Sequence, residues 1–314
     1  MINLLQECKG AGMIGISGHI RPDGDCVGSC MALYLYLKKA LPDAVITVYL
    51  EESAKEYHQI AGIQDIDFAF QPKEYYDVFF CLDSTPDRLG AALSLYELAR
   101  KKINIDHHIT NAGSGDVNYI QPEIGSCAEL IYNLIPEADM DNDIAKAIYI
   151  GIIHDTGVFQ FSNTKPSTLL AGAQLIQYDI DFANLIQESF YEKSYKQTKI
   201  MADVVLRSQM YLEGKCLAGT MTKEDMVRLE AKVHDLTGII NRLKSVRGVD
   251  CAVFVYETEA DTFKVSLRTS DKIDATVIAR VFNGGGHVRA AGCTVQGSLD
   301  SVMEMLTKEI SKQL

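Results

Sequence analysis

Two hydrophobic periods alternate along the first half of the chain. Met13-Ile-Gly-Ile-Ser17 is a short apolar run of strand length. Ala44-Val-Ile-Thr-Val-Tyr-Leu50, Asp77-Val-Phe-Phe-Cys-Leu82 and Lys102-Ile-Asn-Ile105 repeat the form with β-branched and aromatic residues. Between the first two, Gly28 to Ala40 is rich in Leu, Ala, Lys and Tyr and reads as a helix that Pro42 ends. Ser126 and Glu129 have the S-x-x-E spacing of a capping box before Leu130-Ile-Tyr, so a helix is expected there. From Asn142, apolar residues at Ile144, Ala147, Ile148, Gly151 and Ile152 keep helical spacing and deliver His154-Asp155 to a helix end. Pro166-Ser-Thr opens another helix, to about Gln177. Strands alternating with helices predict βαβ units and a parallel sheet, an α/β fold.

The pattern changes near residue 181. Phe182 to Met210 reads as one long helical stretch, rich in Lys, Gln and Tyr, and is taken as a connector. Beyond it, strands are expected at Cys216 to Thr220, Val249 to Glu257, Thr262 to Arg268 and Gly292-Cys-Thr-Val295. Helices are expected near Thr222–Lys232, Asp274–Phe282 and Ser298–Lys312, with Thr222 and Asp225 as a T-x-x-D cap. The organisation is therefore a first α/β domain over 1–185, a helical linker over 186–212 and a smaller α/β domain over 213–314. A length of 314 residues suits two domains, each large enough for its own core.

Composition narrows the function. Thirty basic against 42 acidic residues give a net charge of −12, which disfavours gripping long nucleic acid through a basic track. The apolar runs are too short for a membrane helix, and Glu7 and Lys9 interrupt the N-terminus where a secretory segment would be apolar. The eight cysteines are scattered, with no C-x-x-C pair, and several sit in apolar runs. A disulfide framework is not expected, and a reducing cytoplasm is.

The chemistry concentrates at ends of elements in the first domain. His19-Ile-Arg-Pro-Asp23-Gly-Asp25 follows the first strand, Asp83 follows Leu82, Asp106-His107-His108 follows Ile105, and Asp155 ends an apolar helix. Ligand sites of open α/β sheets form beyond the carboxyl ends of the strands. A lone D-x-D beside Pro22 is a good turn, and a lone Asp-His-His is an ordinary loop. Four such clusters at element ends point instead to metal, and carboxylate with imidazole suits Mn, Mg or Fe. Four carboxylates without cations would repel one another and take up protons, whereas two divalent cations would balance them. In the second domain, Gly284-Gly-Gly286 allows backbone N–H groups to turn toward an anion. His287 and Arg289 add charge there, and Arg268 offers a guanidinium fork.

These motifs resemble those of the DHH phosphoesterases: His19-x-x-x-Asp23-x-Asp25, Asp83, Asp106-His107-His108 and Gly151-x-x-x-Asp155-Thr-Gly157. Gly284-Gly-Gly-His287-x-x-Ala290-Ala-Gly292 is similar to the signature of the DHHA1 domain. The resemblance covers nearly the whole chain and looks nearest to the nanoRNase and phosphoadenosine-phosphate phosphatase branch. It implies two Mn2+, with Mg2+ or other divalent cations as alternatives. His19, Asp23 and Asp83 would bind one, and Asp25, Asp83, His107 and Asp155 the other, with Asp83 bridging. A hydroxide between the metals would attack phosphorus in line. His108 would act at the leaving group, with Asp106 orienting the histidines. Arg268, Gly284, Gly285, Gly286 and His287 would bind substrate. His154 stands where the family commonly has Gly or Ala, and reads as helix-end packing. The implied substrates are short oligoribonucleotides, linear dinucleotides or a nucleoside bisphosphate, with neither long nucleic acid nor membrane as partner. A homodimer stays open. The alternatives are an inorganic pyrophosphatase, which the glycine-His signature argues against, and a non-catalytic nucleotide-binding module, which a missing metal ligand would favour.

Overall fold

The apolar runs of the first half lie beside one another in a single sheet. The computed structural model describes residues 2–314, apart from the His287 side chain. In chain order the first elements are α1 (Leu4–Glu7), β1 (Met13–Ser17), α2 (Gly24–Ala40), β2 (Val45–Tyr49), β3 (Tyr76–Leu82), α3 (Leu93–Glu97), β4 (Ala99–Asp106) and β5 (Val117–Ile120). Then come α4 (Cys127–Leu134), α5 (Asn142–Asp155), α6 (Pro166–Leu175) and α7 (Phe182–Ile186). The five strands are parallel, in the order β2-β1-β3-β4-β5. From Val78 onward, alternate residues of β3 enter separate cores, and Tyr76 joins the second. Val78, Phe80 and Leu82 pack with α2, α4 and α5, while Tyr76, Phe79 and Cys81 pack with Leu95 and Tyr96 of α3. A parallel sheet with both faces covered needs such continuous apolar strands.

Two boundaries differ from expectation for a local reason. α2 begins at Gly24, one turn before Gly28, because the Asp23 side chain caps it and accepts from the N–H groups of Asp25 and Cys26, both at 3.1 Å. The D-G-D run is thus a turn and a helix start together. The Ser126–Glu129 capping box is half formed. Ser126 Oγ accepts from Glu129 N, but the Glu129 carboxylate takes Gly125 N and Thr168 Oγ1. Strand β5 had no apolar run to announce it; its residues are only partly buried.

The chain divides into two compact units, Met1–Glu192 and Lys193–Leu314. The expected single helix over Phe182 to Met210 is broken. After α7, a π-helical turn (Gln187–Tyr191) ends at Glu192, whose backbone is extended. Ser194 and Gln197 form a reciprocal capping box that starts α8 (Tyr195–Arg207) afresh. There follow β6 (Gln209–Tyr211), β7 (Cys216–Met221), α9 (Lys223–Arg228), α10 (Ile239–Lys244), β8 (Cys251–Glu259), β9 (Thr262–Thr269), α11 (Ala275–Val281), β10 (Gly285–His287), β11 (Ala290–Gln296) and α12 (Leu299–Ser311). This sheet is mixed, in the order β10-β11-β9-β8-β7-β6, with only β7 and β8 parallel. Cys251, Val253 and Val255 of β8 meet α11 and α12, while Ala252 and Phe254 meet α8 and α10. α8 therefore belongs to a core of the second unit. No helix among the described residues is long and apolar enough to cross a membrane.

The helix pair α2 and α5 carries the first unit's densest contact. A Cβ on Gly28 would stand 2.6 Å from the Ala147 carbonyl oxygen and 2.9 Å from Gly151 Cα. Those atoms are backbone, so they cannot turn aside. Gly28→Ala should destabilise the protein by about 1–3 kcal/mol through overpacking. At about 2–4 °C per kcal/mol for a unit of this size, the melting temperature falls by several degrees. Calorimetry checks this; an unchanged melting temperature would contradict the close contact.

Candidate metal centre

The strand order reverses between β1 and β3, and the loops leaving these two strands carry His19, Asp23 and Asp83. Such a switch point opens a crevice at the carboxyl ends of the strands. Asp83 is the first residue past β3 and has φ = +52°, a left-handed conformation disfavoured for a residue with a Cβ. It is held there from beneath. The buried Asn104 amide donates to the carbonyls of Cys81 (3.0 Å) and Ser84 (2.8 Å), and Asn111 Nδ2 donates to Asn104 Oδ1 at 2.9 Å. Strain at a functional side chain persists where the surroundings over-determine it.

The two oxygens of Asp83 face different ways. Oδ2 lies 3.4 Å from His19 Nε2, which is 3.7 Å from Asp23 Oδ1. Oδ1 lies 3.5 Å from His107 Nε2, which is 3.7 Å from both Asp25 Oδ2 and Asp155 Oδ2. The structure thus brings His19, Asp23, Asp25, Asp83, His107 and Asp155 together as two half-sites sharing Asp83. Asp25 sits in the first turn of α2 and is fixed by the N-terminus of α4, where Cys127 N (2.7 Å) and Ala128 N (2.8 Å) donate to its two oxygens. His19 Nδ1 pairs with the Ile20 carbonyl at 2.9 Å, which turns Nε2 toward Asp83.

His108 is placed differently. Asp106, the last residue of β4, accepts from the N–H groups of His107 (2.7 Å) and His108 (3.1 Å) through Oδ1. The same oxygen takes His108 Nδ1 at 2.7 Å, while Oδ2 takes Asn111 Nδ2 at 2.6 Å. Asp106 therefore orients both histidines, and His108 Nδ1, bonded to Asp106, also stands 3.5 Å from Asp83 Oδ1.

The electrostatics describe a centre built for cations. Burial raises Asp25 well above the usual carboxylate range, and the charges of Asp83 and Asp155 add to this. Burial, Asp83 and Asp23 likewise push Asp155 up to about 6. Burial works against charge on the histidines, but Asp23 and Asp83 raise His19 to about 12, and Asp83, Asp25 and Asp155 raise His107 to about 10. Burial also opposes charge on Asp83, yet the facing imidazoles hold it well below its ordinary value. Protons thus stand in for missing positive charge. Asp83 Oδ1 and His107 Nε2 are buried without a hydrogen-bond partner, although they point at the same space. Oxygen and nitrogen donors with two such orphaned atoms fit divalent cations of the Mn and Mg type. Cys26 also lies with His19 and Asp83, their ligand atoms within 4.8 Å of one another, but burial and Cys30 raise its thiol well above the ordinary value.

Sequence reasoning missed Asn104, Asn111 and Asn163. Asn163 Nδ2 donates to Asp155 Oδ2 at 2.9 Å. The only sequence signal for the three was polarity, which loops share. His154 packs edge-on against Tyr57 and Phe190 at centroid distances of 5.1 and 5.4 Å, over Gly24, where a Cβ would not fit.

The second unit holds the remaining candidates. Arg268 of β9 pairs with Ala290 of β11, which pairs with His287 of β10, so the three backbones form one row across the sheet. The half-buried Arg268 guanidinium bonds the Leu267 carbonyl at 3.1 Å and has no carboxylate within 4 Å among the described residues. The His287 side chain lies outside the described residues. Of the three glycines expected to offer N–H groups to an anion, Gly284 has its own N–H already engaged. Gly284 donates to the Ala279 carbonyl at 2.8 Å, and Gly285 and Gly286 are strand residues. Gly285 faces open space, whereas a Cβ on Gly286 would meet the Ala290 carbonyl oxygen at 2.4 Å. Arg289 serves structure, bonding the carbonyls of Ser270 and Ile273.

Comparison with known proteins gives the same outline. Residues 13–152 match the DHH family, N-terminal domain, and residues 216–314 match the DHHA1 domain. The bifunctional oligoribonuclease and PAP phosphatase NrnA of Thermus thermophilus is 30% identical, over 96% of this chain and 90% of that protein. The Bacillus subtilis NrnA is 26% identical, over 88% of this chain and 87% of that one. The crystal structure of an exopolyphosphatase-related protein from Bacteroides fragilis has a TM-score of 0.89 at 25% identity, covering 98% of this chain and 94% of that chain. With both domain types matched and a metal-ready cluster at the strand ends of the first, the chain belongs to the DHH/DHHA1 family of phosphoesterases.

Proposed function

We propose that this phosphoesterase hydrolyses short oligoribonucleotides or linear dinucleotides, with 3′-phosphoadenosine 5′-phosphate as a further candidate substrate. The observation that carries the reading is the Asp83 carboxylate, one oxygen facing His19 and the other His107, which suits a pair of ions. The substrate class is carried over from the NrnA relatives. The −12 charge agrees with it, because few phosphates need neutralising. Eight free, buried thiols accord with a cytoplasmic setting.

In this reading His19, Asp23 and Asp83 hold one Mn2+, and Asp25, Asp83, His107 and Asp155 hold the other. Bound there, two divalent ions would polarise the scissile phosphate and lower the pKa of water. The chain does the rest. Asp83 fixes the spacing of the two half-sites. Asp106 accepts a hydrogen bond from His108 Nδ1–H and so orients the ring with Nε2 as its free end. Burial opposes charge on His108, whereas Asp106 and Asp83 favour it, which suits the role of proton donor assigned to it. As the phosphorus–oxygen bond to the leaving group breaks, His108 gives its proton to the departing oxygen. In the second unit Arg268, with Gly285, Gly286 and His287, receives another phosphate of the substrate. A desolvated guanidinium without an acidic partner makes a strong charge-assisted bond to such an anion.

A panel with Mn2+ tests the assignment: phosphoadenosine phosphate, linear and cyclic dinucleotides, RNA and DNA of three to ten residues, and pyrophosphate. Turnover of pyrophosphate alone would overturn it. Asp83→Ala should lose bound metal and turnover together, since one residue serves both ions; metal analysis beside phosphate release checks this. His107→Ala should lower metal content. His108→Ala should retain metal and lose about 10²–10⁴-fold in kcat. Equal metal loss in both variants would mean the pair is misassigned. Arg268→Ala should cost about 10–100-fold in kcat/KM on dinucleotides, the range of a charged hydrogen bond. Hydrolysis of bis-p-nitrophenyl phosphate should change far less. On an RNA length series the native protein should favour two to five residues. Equal rates on long RNA would rule out a preference for short substrates.

A further inference from the structure

Asp25 and Asp155 both face His107, but they are secured very differently. Asp25 accepts two backbone N–H groups and its side chain is 1% exposed. The Asp155 side chain is 29% exposed, beside the like charges of Asp83 and Asp23. Of the two it is the one with an open route to solvent. The single side chain that donates to it among the described residues is Asn163, whose Nδ2 lies 2.9 Å from Asp155 Oδ2, the oxygen that faces His107. Nδ2 also approaches the carbonyls of Asp155 (3.1 Å) and Gly125 (2.9 Å). All three partners only accept, so the amide orientation is fixed.

The chain between the two residues is shaped to make this contact. Gly157, Val158 and Phe159 have φ of +57°, +55° and +64°, three left-handed residues in succession, two of which carry a Cβ. Thr156 holds the turn. Its hydroxyl donates to the Ile152 carbonyl and accepts from Phe159 N, and its carbonyl accepts from Gln160 N and Phe161 N. The turn reverses the chain at the end of α5 and returns Asn163 to Asp155. The Gly125 carbonyl it also grips belongs to the segment that leads into α4, whose N-terminus holds Asp25. Asn163 therefore ties both carboxylates of one half-site to the same support.

We propose that Asn163 is the positioning residue that holds Asp155 Oδ2 against His107 and so sets the affinity of that half of the centre for its divalent ion. This rests on the dinuclear reading given above. The experiment titrates metal-free full-length protein with Mn2+, reading free ion by electron paramagnetic resonance. It compares the wild type with Asn163→Ala and Asn163→Leu, the latter keeping volume without a donor. In both variants one of two Mn2+ should bind about 10–100-fold more weakly, the usual cost of losing a group that orients a ligand. The other should bind as in the wild type, and kcat should recover as Mn2+ is raised. A purely structural role would lower the melting temperature of the metal-free protein and leave both Mn2+ affinities alone. Two ions bound equally well by the wild type and by either folded variant would overturn the role of Asn163. Wild-type protein that takes up no Mn2+ would overturn the dinuclear reading itself, and this inference with it.

Discussion

Four carboxylates cannot converge on one site, two of them buried, unless something positive answers them, and much of the first unit is arranged around that constraint. Asp23, Asp25, Asp83 and Asp155 converge with two imidazoles where the parallel sheet reverses its strand order. The polypeptide supplies part of the compensation from its own dipoles. The N–H groups at the start of α2 serve Asp23, and those at the start of α4 serve Asp25. The facing imidazoles supply another part, and the carboxylates raise their pKa values in return, while burial and like charge raise Asp25 and Asp155. What remains is a deficit of positive charge of the kind divalent ions fill.

The second unit answers a different need. Its sheet ends in a short glycine-rich strand beside β11, and the half-buried Arg268 shares a row with that strand. Where the first unit gathers negative charge, this one offers an arginine without an acidic partner among the described residues.

Much of this was legible in the sequence, and the exceptions have physical causes. β1 and β3 were readable because strands buried on both faces are continuously apolar. The metal cluster was readable because each member follows a strand or ends a helix, so that linear position carries spatial meaning. The start of α2 was misplaced because Gly24-Asp25 looks like turn chemistry, and a helix cap uses the same residues. The break near Glu192 was hidden, since the polar residues on both sides suit one helix as well as two. Asn104, Asn111 and Asn163 were invisible because an amide gains meaning only from the carbonyls and carboxylates that folding brings to it. Gly284 looked available for an anion until its N–H was found on Ala279.

The glycine contact between α2 and α5 has a consequence beyond packing. Asp25 stands three residues before Gly28 on one helix, and Asp155 four residues after Gly151 on the other. A Cβ on Gly151 would meet Asp25 Oδ1 at 3.1 Å. The gap between two carboxylates that flank His107 is therefore gauged by how closely two backbones approach, not by side-chain length. Cavity size is one of the means by which proteins discriminate among hard cations of different radius. In this protein the gauge lies in the core, so the gap can drift through substitutions that touch neither carboxylate.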